Sequence, residues 1–295
     1  MDLNRLRLFH AVTQHGSYSR AAEALDLSQP SVSVQVHQLE RALGSYLFYQ
    51  VGRKLHLTEE GKLLLQFSDQ IFALEKKAER AVREMSGLEQ GHVIVGASFT
   101  IGTYMLPKIL GEYYKRYPGV EVQLEVGTSY AVQDRVLRNE QDIAFVGRNI
   151  SHPLLECEAY AVDELVMIAP GDHPFSHRPS VSLKDLATEP FVLREKGSAT
   201  RQLLEEQLQQ KEIDYEVALE VGGPEGVKQA VAAGLGVGII SKDAVIWETE
   251  SGRLATINVP DLYLRRQLYE VHLKSRPLSR AVDSLRTLVN QANHV

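Results

Sequence analysis

Between positions 29 and 38 the chain sets out a run of neutral hydrogen-bonding side chains: Gln29, Ser31, Ser33, Gln35 and Gln38, with hardly a charge before Glu40. An ordinary solvated helix face favours Lys and Glu. Glutamine and serine can bond base edges without desolvating a charge, and glutamine can hold adenine in a bidentate way. Val34 has the size to meet a thymine methyl. The plain alternative is a polar solvent face. Shortly after, Arg53 and Lys54 follow Gly52 between two short segments that read as strands, Leu47-Phe48-Tyr49 and Leu55-His56-Leu57. Cations at such a hairpin tip reach phosphate or the minor groove, although any surface turn can carry them.

A second group of candidates is spread over the last two-thirds of the chain. Ser98 and Thr100, Thr128 and Ser129, Ser198 with Thr200, and Gly222-Gly223 each stand between a predicted strand and a predicted helix. Free N–H groups at a helix start attract anions. Taken singly, each of these residues is an ordinary cap; four together point to a shared cleft. Arg201, one turn into a helix expected near 198–211, is the expected counter-charge for a carboxylate or phosphate. The expected effector-binding set is therefore Ser98, Thr100, Thr128, Gly147, Ser198, Arg201 and Gly223.

Catalytic readings fail on spacing. Gly96-Ala97-Ser98-Phe99-Thr100 follows a strand as a nucleophile elbow would, but the second glycine is replaced by Thr100. Gly234-Leu235-Gly236-Val237-Gly238 lacks the spacing of a dinucleotide loop. His173 and His177 are four apart, yet Pro174 and Pro179 argue against a shared helical face for a metal. No phosphate-loop lysine follows a strand. No enzyme, metal or cofactor is expected, and an α/β hydrolase is the weakest alternative.

The elements that must position these residues begin with three short helices. Asp2 caps the first, whose apolar positions Leu3, Leu6, Phe9, Ala11 and Val12 recur at helical spacing until His15-Gly16. Ser17 or Ser19 caps a second over Arg20–Leu25. Ser28 then caps a third, with Pro30 in its first turn and Val32, Val36 and Leu39 as its inward stripe to Gly44. Two helices joined by a tight turn form a helix-turn-helix pattern, and the basic hairpin makes it winged.

Ala21-Ala22, Leu25, Ser28-Gln29-Pro30-Ser31-Val32-Ser33, Gln35, Leu39-Glu40, Leu43-Gly44, Leu47-Phe48, Arg53 and Leu57-Thr58-x-x-Gly61 together resemble the signature of LysR-type transcriptional regulators. One position departs from the usual pattern: Gln50 stands where arginine is common. The resemblance implies a winged helix whose third helix enters the major groove, with Gln29, Pro30, Ser31, Ser33 and Gln35 facing DNA. It implies Arg53 and Lys54 on the wing as well. Leu106-Pro107, Tyr117-Pro118, Gln141-Asp142-Ile143-Ala144 and Gly234-x-Gly236-x-Gly238 resemble the regulatory domain of the same regulators. That part implies two subdomains like those of periplasmic binding proteins, crossed near Val162 and Arg265, with a small co-inducer between them. The stretch from Leu193 to Arg201 resembles members controlling sulfur or carbon assimilation. Double-stranded DNA, a tetramer and RNA polymerase are the partners this resemblance suggests.

Between the two halves, one proline-free helix is expected from Thr58 to Leu88. Leu64, Phe67, Ile71, Leu74, Ala78, Ala81, Met85 and Leu88 recur in steps of three and four, an a/d seam that calls for a partner helix. A dimer is expected, unless the helix packs on its own domain instead. Beyond it, strands and helices alternate, which reads as α/β, doubly wound. The expected divisions are 1–58 for the winged helix-turn-helix, 59–90 for the linker and 91–295 for the regulatory domain. Within the last, subdomain I takes 91–161 with 267–295 and subdomain II takes 162–266.

Composition bounds the remainder. The chain has 295 residues, 44% hydrophobic and 24% charged, in the globular range. Cys157 is its only cysteine, which excludes an internal disulfide and a multi-cysteine metal site. No apolar run approaches the ~18 residues of a membrane span and no signal-like start is seen, so a cytoplasmic protein is expected. The net charge of −6 looks hostile to nucleic acid, but residues 1–62 carry +1 and the remainder −7. A small-molecule receptor without DNA function stays as the competing class.

Overall fold

The structure, a computed structural model, describes residues 2–52, 54–84 and 91–292. It divides into two compact units, Met1–Glu79 and Arg80–Val295.

In the first unit, helix α1 (Leu3–His15) starts where the Asp2 carboxylate accepts from the Asn4 N–H at 2.7 Å. It stops at Gly16, whose φ of +66° is the left-handed conformation glycine tolerates best. Ser17, one of the two expected caps, starts α2 (Tyr18–Ala24) two residues before the expected Arg20, and Ser28 caps α3 (Gln29–Leu43). Val32, Val36 and Leu39 of α3 are fully buried with Leu6, Phe9, Val12 and Ala21. Each large apolar side chain so buried stabilises the unit by roughly 1.5–3 kcal/mol.

The hairpin is tied to α3 by a buried carboxylate. Glu40 accepts from the Leu47 N–H at 2.8 Å and meets His37 Nδ1 at 2.7 Å. This fixes the entry to β1 (Phe48–Val51), which pairs antiparallel with β2 (Lys54–Leu57). Thr58 donates to the Tyr46 carbonyl and accepts from the Gly61 N–H, starting α4 (Glu59–Glu84). Gly61 is required here: a Cβ would stand 2.2 Å from the Leu47 carbonyl oxygen.

The seam expected along α4 is divided. Leu64 and Ile71, with Leu65 and Phe72, pack on the unit's own core against Leu6, Phe9 and Leu47. Arg7 holds Glu75 at 2.7 Å, and His10 holds Asp69 at 2.8 Å. Phe67, Leu74 and Ala78 are exposed instead. The alternation of threes and fours therefore serves two faces. Met85 and Leu88, and the side chain of Ala81, lie outside the described residues.

The second unit carries a nine-stranded sheet. β3 (Gly91–Ser98) pairs in parallel with β4 (Val120–Gly127) and β5 (Ile143–Val146). A wide π-helical turn, Ile101–Met105, leads into α5 (Leu106–Arg116), and α6 (Ser129–Leu137) returns toward β5. β6 (Leu155–Pro170) then runs through both halves of the sheet. Its partner is β11 (Arg265–Leu273) up to Glu164, and β9 (Val237–Ser241) from Leu165 onward.

After the short helix α7 (Leu183–Leu186), β7 (Phe191–Arg194) pairs in parallel with β8 (Val217–Val221) and β9. α8 (Ala199–Gln210) follows β7 and α9 (Gly223–Ala232) follows β8. α10 (Ile246–Glu250) and β10 (Leu254–Ile257) follow β9, and β10 lies against β6. The last helix, α11 (Arg280–Ala292), closes the core of Val93, Val95, Ile143 and Phe145 with Leu285 and Val289. Among the described residues no helix is long and apolar enough to cross a membrane.

The first half of β6 and the whole of β11 lack the continuous apolar run that marks β5, Ile143–Val146, as a strand in the sequence. β11 shows the reason. Its Glu270 is 1% exposed and paired with Arg286, so a strand that reads as charged is buried.

Candidate functional site

Two groups of side chains stand out, one in each unit. In the first, Ser28 and Pro30 fix the start of α3, so its polar residues leave the core in order. Gln29, Pro30 and Ser31 are exposed, while Ser33 and Gln35 are half-buried. Val34, between them, is 53% exposed. Gln35 Oε1 accepts from Arg5 Nε at 3.2 Å. At the hairpin tip Gly52 takes a φ of +61°, and Lys54 beside it is exposed. Arg53 lies outside the described residues. Gln50, where arginine is usual, donates from Nε2 to the Gly52 carbonyl at 3.0 Å and so braces the tip itself.

In the second unit, the ends of β3, β4 and β7 meet around a small, solvent-open recess. Its wall includes Ser98, Thr100, Thr128, Ser198 and Thr200. This is where a doubly wound sheet gathers the carboxyl ends of its strands and the starts of its helices. The hydroxyls are not equivalent. Thr128 Oγ1 already accepts from the Ala131 N–H at 3.2 Å, capping α6. Thr200 Oγ1 accepts from Arg266 Nη1 at 2.8 Å. Ser198 begins α8 without a side-chain cap bond, which leaves its hydroxyl for the cavity.

Two arginines supply positive charge to the wall. Arg194, at the end of β7, binds Glu195 through Nε at 2.8 Å and Nη2 at 2.7 Å. Its guanidinium lies 5.5 Å from the centre of the Phe99 ring. Arg266, on β11, binds Asp163 at 2.6 Å, and Asp163 also accepts from the Ser241 hydroxyl at 2.7 Å. Burial would raise the Glu195 carboxyl, but the Arg194 bonds outweigh it and hold it below the ordinary glutamate value. Asp163 goes the other way: burial lifts it despite the pull of Arg266.

Three expected members of the set stand elsewhere. Arg201 does not line the cavity. It is buried, bonded to Glu205 at 2.7 Å, Glu220 at 2.6 Å and the Arg194 carbonyl at 2.9 Å, so its Nε and Nη1 donors are already engaged. Gly147 is not in the wall either; a Cβ there would come within 3.0 Å of Arg266 Nη1, so the glycine makes room for that arginine. Gly223, at φ +73°, donates its N–H to Glu195 Oε2 at 3.2 Å and is one bond removed from the wall.

Glu195 and Arg266 were not among the residues expected from sequence. Position alone could have flagged Arg194 and Glu195, since they end a strand just before a helix start. No such signal marks Arg266, on a strand without an apolar run.

α9 links this wall to the opposite side of the cleft. Its first turn meets Glu195 through Gly223. Glu225 accepts from the Tyr104 hydroxyl at 3.1 Å, and Lys228 lies 4.9 Å from the Tyr104 ring centre. Lys228 also holds Glu248 at 2.7 Å.

Comparison with known proteins covers both units. The family described as LysR substrate binding domain matches residues 86–293, and the bacterial regulatory helix-turn-helix protein, lysR family, matches residues 3–62. The HTH-type transcriptional activator CmpR of Synechocystis sp. is 34% identical over 277 residues, 94% of this chain and 91% of that one. The RuBisCO operon transcriptional regulator of Allochromatium vinosum is 35% identical over 289 residues, 98% and 95% of the two chains. Among solved structures, the Synechocystis PCC6803 CcmR regulatory domain in complex with 2-PG is similar, with a TM-score of 0.64 and 28% identity. It covers 69% of this chain and 98% of that one. Full-length CbnR complexed with its target DNA gives a TM-score of 0.79 at 20% identity, covering 99% and 100%, a likeness of fold.

Proposed function

The chain belongs to the LysR family of DNA-binding transcriptional regulators, and on that footing we propose how its parts divide the work. Gln29, Pro30, Ser31, Ser33 and Gln35 meet base edges in the major groove, while Arg53 and Lys54 on the wing reach the backbone. The stripe of Phe67, Leu74 and Ala78 packs against the same stripe of a second copy, so that two winged units read the halves of an inverted repeat. A tetramer, and contact with RNA polymerase, extend the same assembly. The working compartment is the cytoplasm.

The regulatory domain takes a small anionic metabolite between its subdomains, 91–161 with 267–295 and 162–266. The observation that carries this reading is the cavity wall. Helix starts at Ser129 and Ala199 converge with Arg194 and Arg266 on one recess lined by hydroxyls. Helix starts and guanidinium groups both favour negative charge. The relatives named for RuBisCO favour control of carbon assimilation over sulfur, and the 2-PG of the CcmR complex is the first compound to try. No catalytic step is part of the proposal.

A thermal-shift panel of small carboxylates and phosphates, 2-PG included, tests the cavity. The account expects a rise in Tm for the intact protein that Ser198→Ala and Thr100→Val abolish. A retained rise would remove these residues from the site. On the DNA side, a gel-shift titration in which Gln35→Ala and Lys54→Ala leave operator binding unchanged would overturn their assignment.

A further inference from the structure

Arg5 stands on α1, outside the helix-turn-helix, and its contact with Gln35 has a chemical direction. An arginine Nε–H can only donate. The amide atom of Gln35 that faces it at 3.2 Å is therefore the oxygen, and the orientation of that amide is determined by its partner. The Arg5 backbone is held in turn, since its N–H donates to the Asp2 cap at 3.4 Å. Its guanidinium has no carboxylate partner among the described residues, so the group is not drawn away from Gln35.

A free glutamine reads adenine by accepting from N6–H and donating to N7. Arg5 takes one of the two lone pairs of Oε1 and draws the oxygen toward α1, which favours the NH₂ group, a donor, for the groove. In the major groove guanine offers two acceptors, O6 and N7, whereas adenine offers one acceptor and one donor. We propose that Arg5 is a specificity-determining residue which, by holding Gln35 Oε1, makes Gln35 select guanine over adenine. The inference rests on Gln35 facing the groove, as proposed above. It adds a positioning group from another helix and the base class that follows.

Selection from a random duplex library by the full-length protein, followed by base counts at each position, tests it. The intact protein should show a guanine whose preference Gln35→Ala flattens. Arg5→Ala should move that position toward adenine by about tenfold, within the range known for a bidentate base contact. Arg5→Lys, which keeps a donor, should retain guanine. In the Gln35→Ala background Arg5→Ala should leave base preference unchanged.

If Arg5→Ala weakens binding equally on every sequence, Arg5 is a phosphate contact and the proposal falls while the α3 assignment stands. An adenine at the Gln35-dependent position in the intact protein also overturns it. If Gln35→Ala changes no base preference at all, the placing of Gln35 against a base fails and takes this inference with it.

Discussion

On α3 the candidate binding groups are neutral and reach the surface; around the cavity the two wall arginines are each matched by a carboxylate, Arg194 by Glu195 and Arg266 by Asp163. Residues 1–62 are near neutral at +1, while the acidic remainder of the chain folds arginines inward among its acids. The difference separates two kinds of cost. A neutral amide loses little when a base edge replaces its water. A buried guanidinium deprived of its carboxylate, or the reverse, leaves an uncompensated charge. Substitutions at the cavity's charge pairs should therefore damage folding as well as ligand binding, whereas those on the α3 face should damage recognition alone.

The largest effect is expected at Arg266, because both members of its pair with Asp163 are nearly inaccessible. Arg266→Ala should lower unfolding free energy by about 3–5 kcal/mol, the range for breaking a buried pair from one side. Urea unfolding measures it, and a loss below ~1 kcal/mol would erase the contrast. Glu40 is the first unit's own buried carboxylate, and it sharpens the comparison. Glu40→Ala strands the Leu47 N–H and should cost about 1–3 kcal/mol in the same assay, with the winged unit affected first.

Glu195 comes next, through pH. Its carboxyl is held below the ordinary glutamate value in the folded protein, so its contribution is present above the unfolded value. That contribution is lost as pH falls through the lower folded value. Glu195→Gln should therefore flatten the decline of Tm across the acid range below the ordinary glutamate value; an unchanged acid limb would show the Arg194 pair to be without effect on stability. The smallest change in stability belongs to Gln29. Gln29→Ala should leave it within about 0.5 kcal/mol, as at other exposed positions, while weakening operator binding in an anisotropy titration. A folding defect there would mean that the α3 face is structural.

How much of this could be read in advance follows the same division. α1, α2 and α3 were legible because their signals are local: Asp2, Ser17 and Ser28 cap within three residues, and Val32, Val36 and Leu39 repeat at helical spacing. Ser98, Thr100, Thr128 and Ser198 were legible for a similar reason, each standing where a strand meets a helical turn. Arg266 was not, since it meets Thr200 from 66 positions away. Arg201 misled because a cation one turn into α8 looks free in sequence, while Glu220, on the neighbouring strand β8, takes it. The seam along α4 looks like one stripe in the sequence because threes and fours describe both a partner-facing edge and a core-facing one. Leu64 and Ile71 chose the core.

The most direct test of the division is a single titration with two readings. Fluorescence anisotropy of an operator duplex is followed against the full-length protein, with and without 2-PG, for the intact chain and for Ser198→Ala. The account predicts that 2-PG changes operator affinity or stoichiometry for the intact chain. Ser198→Ala should bind the duplex equally well and ignore the ligand. A Ser198→Ala protein that still responds, or one that loses operator affinity in the absence of ligand, would contradict it.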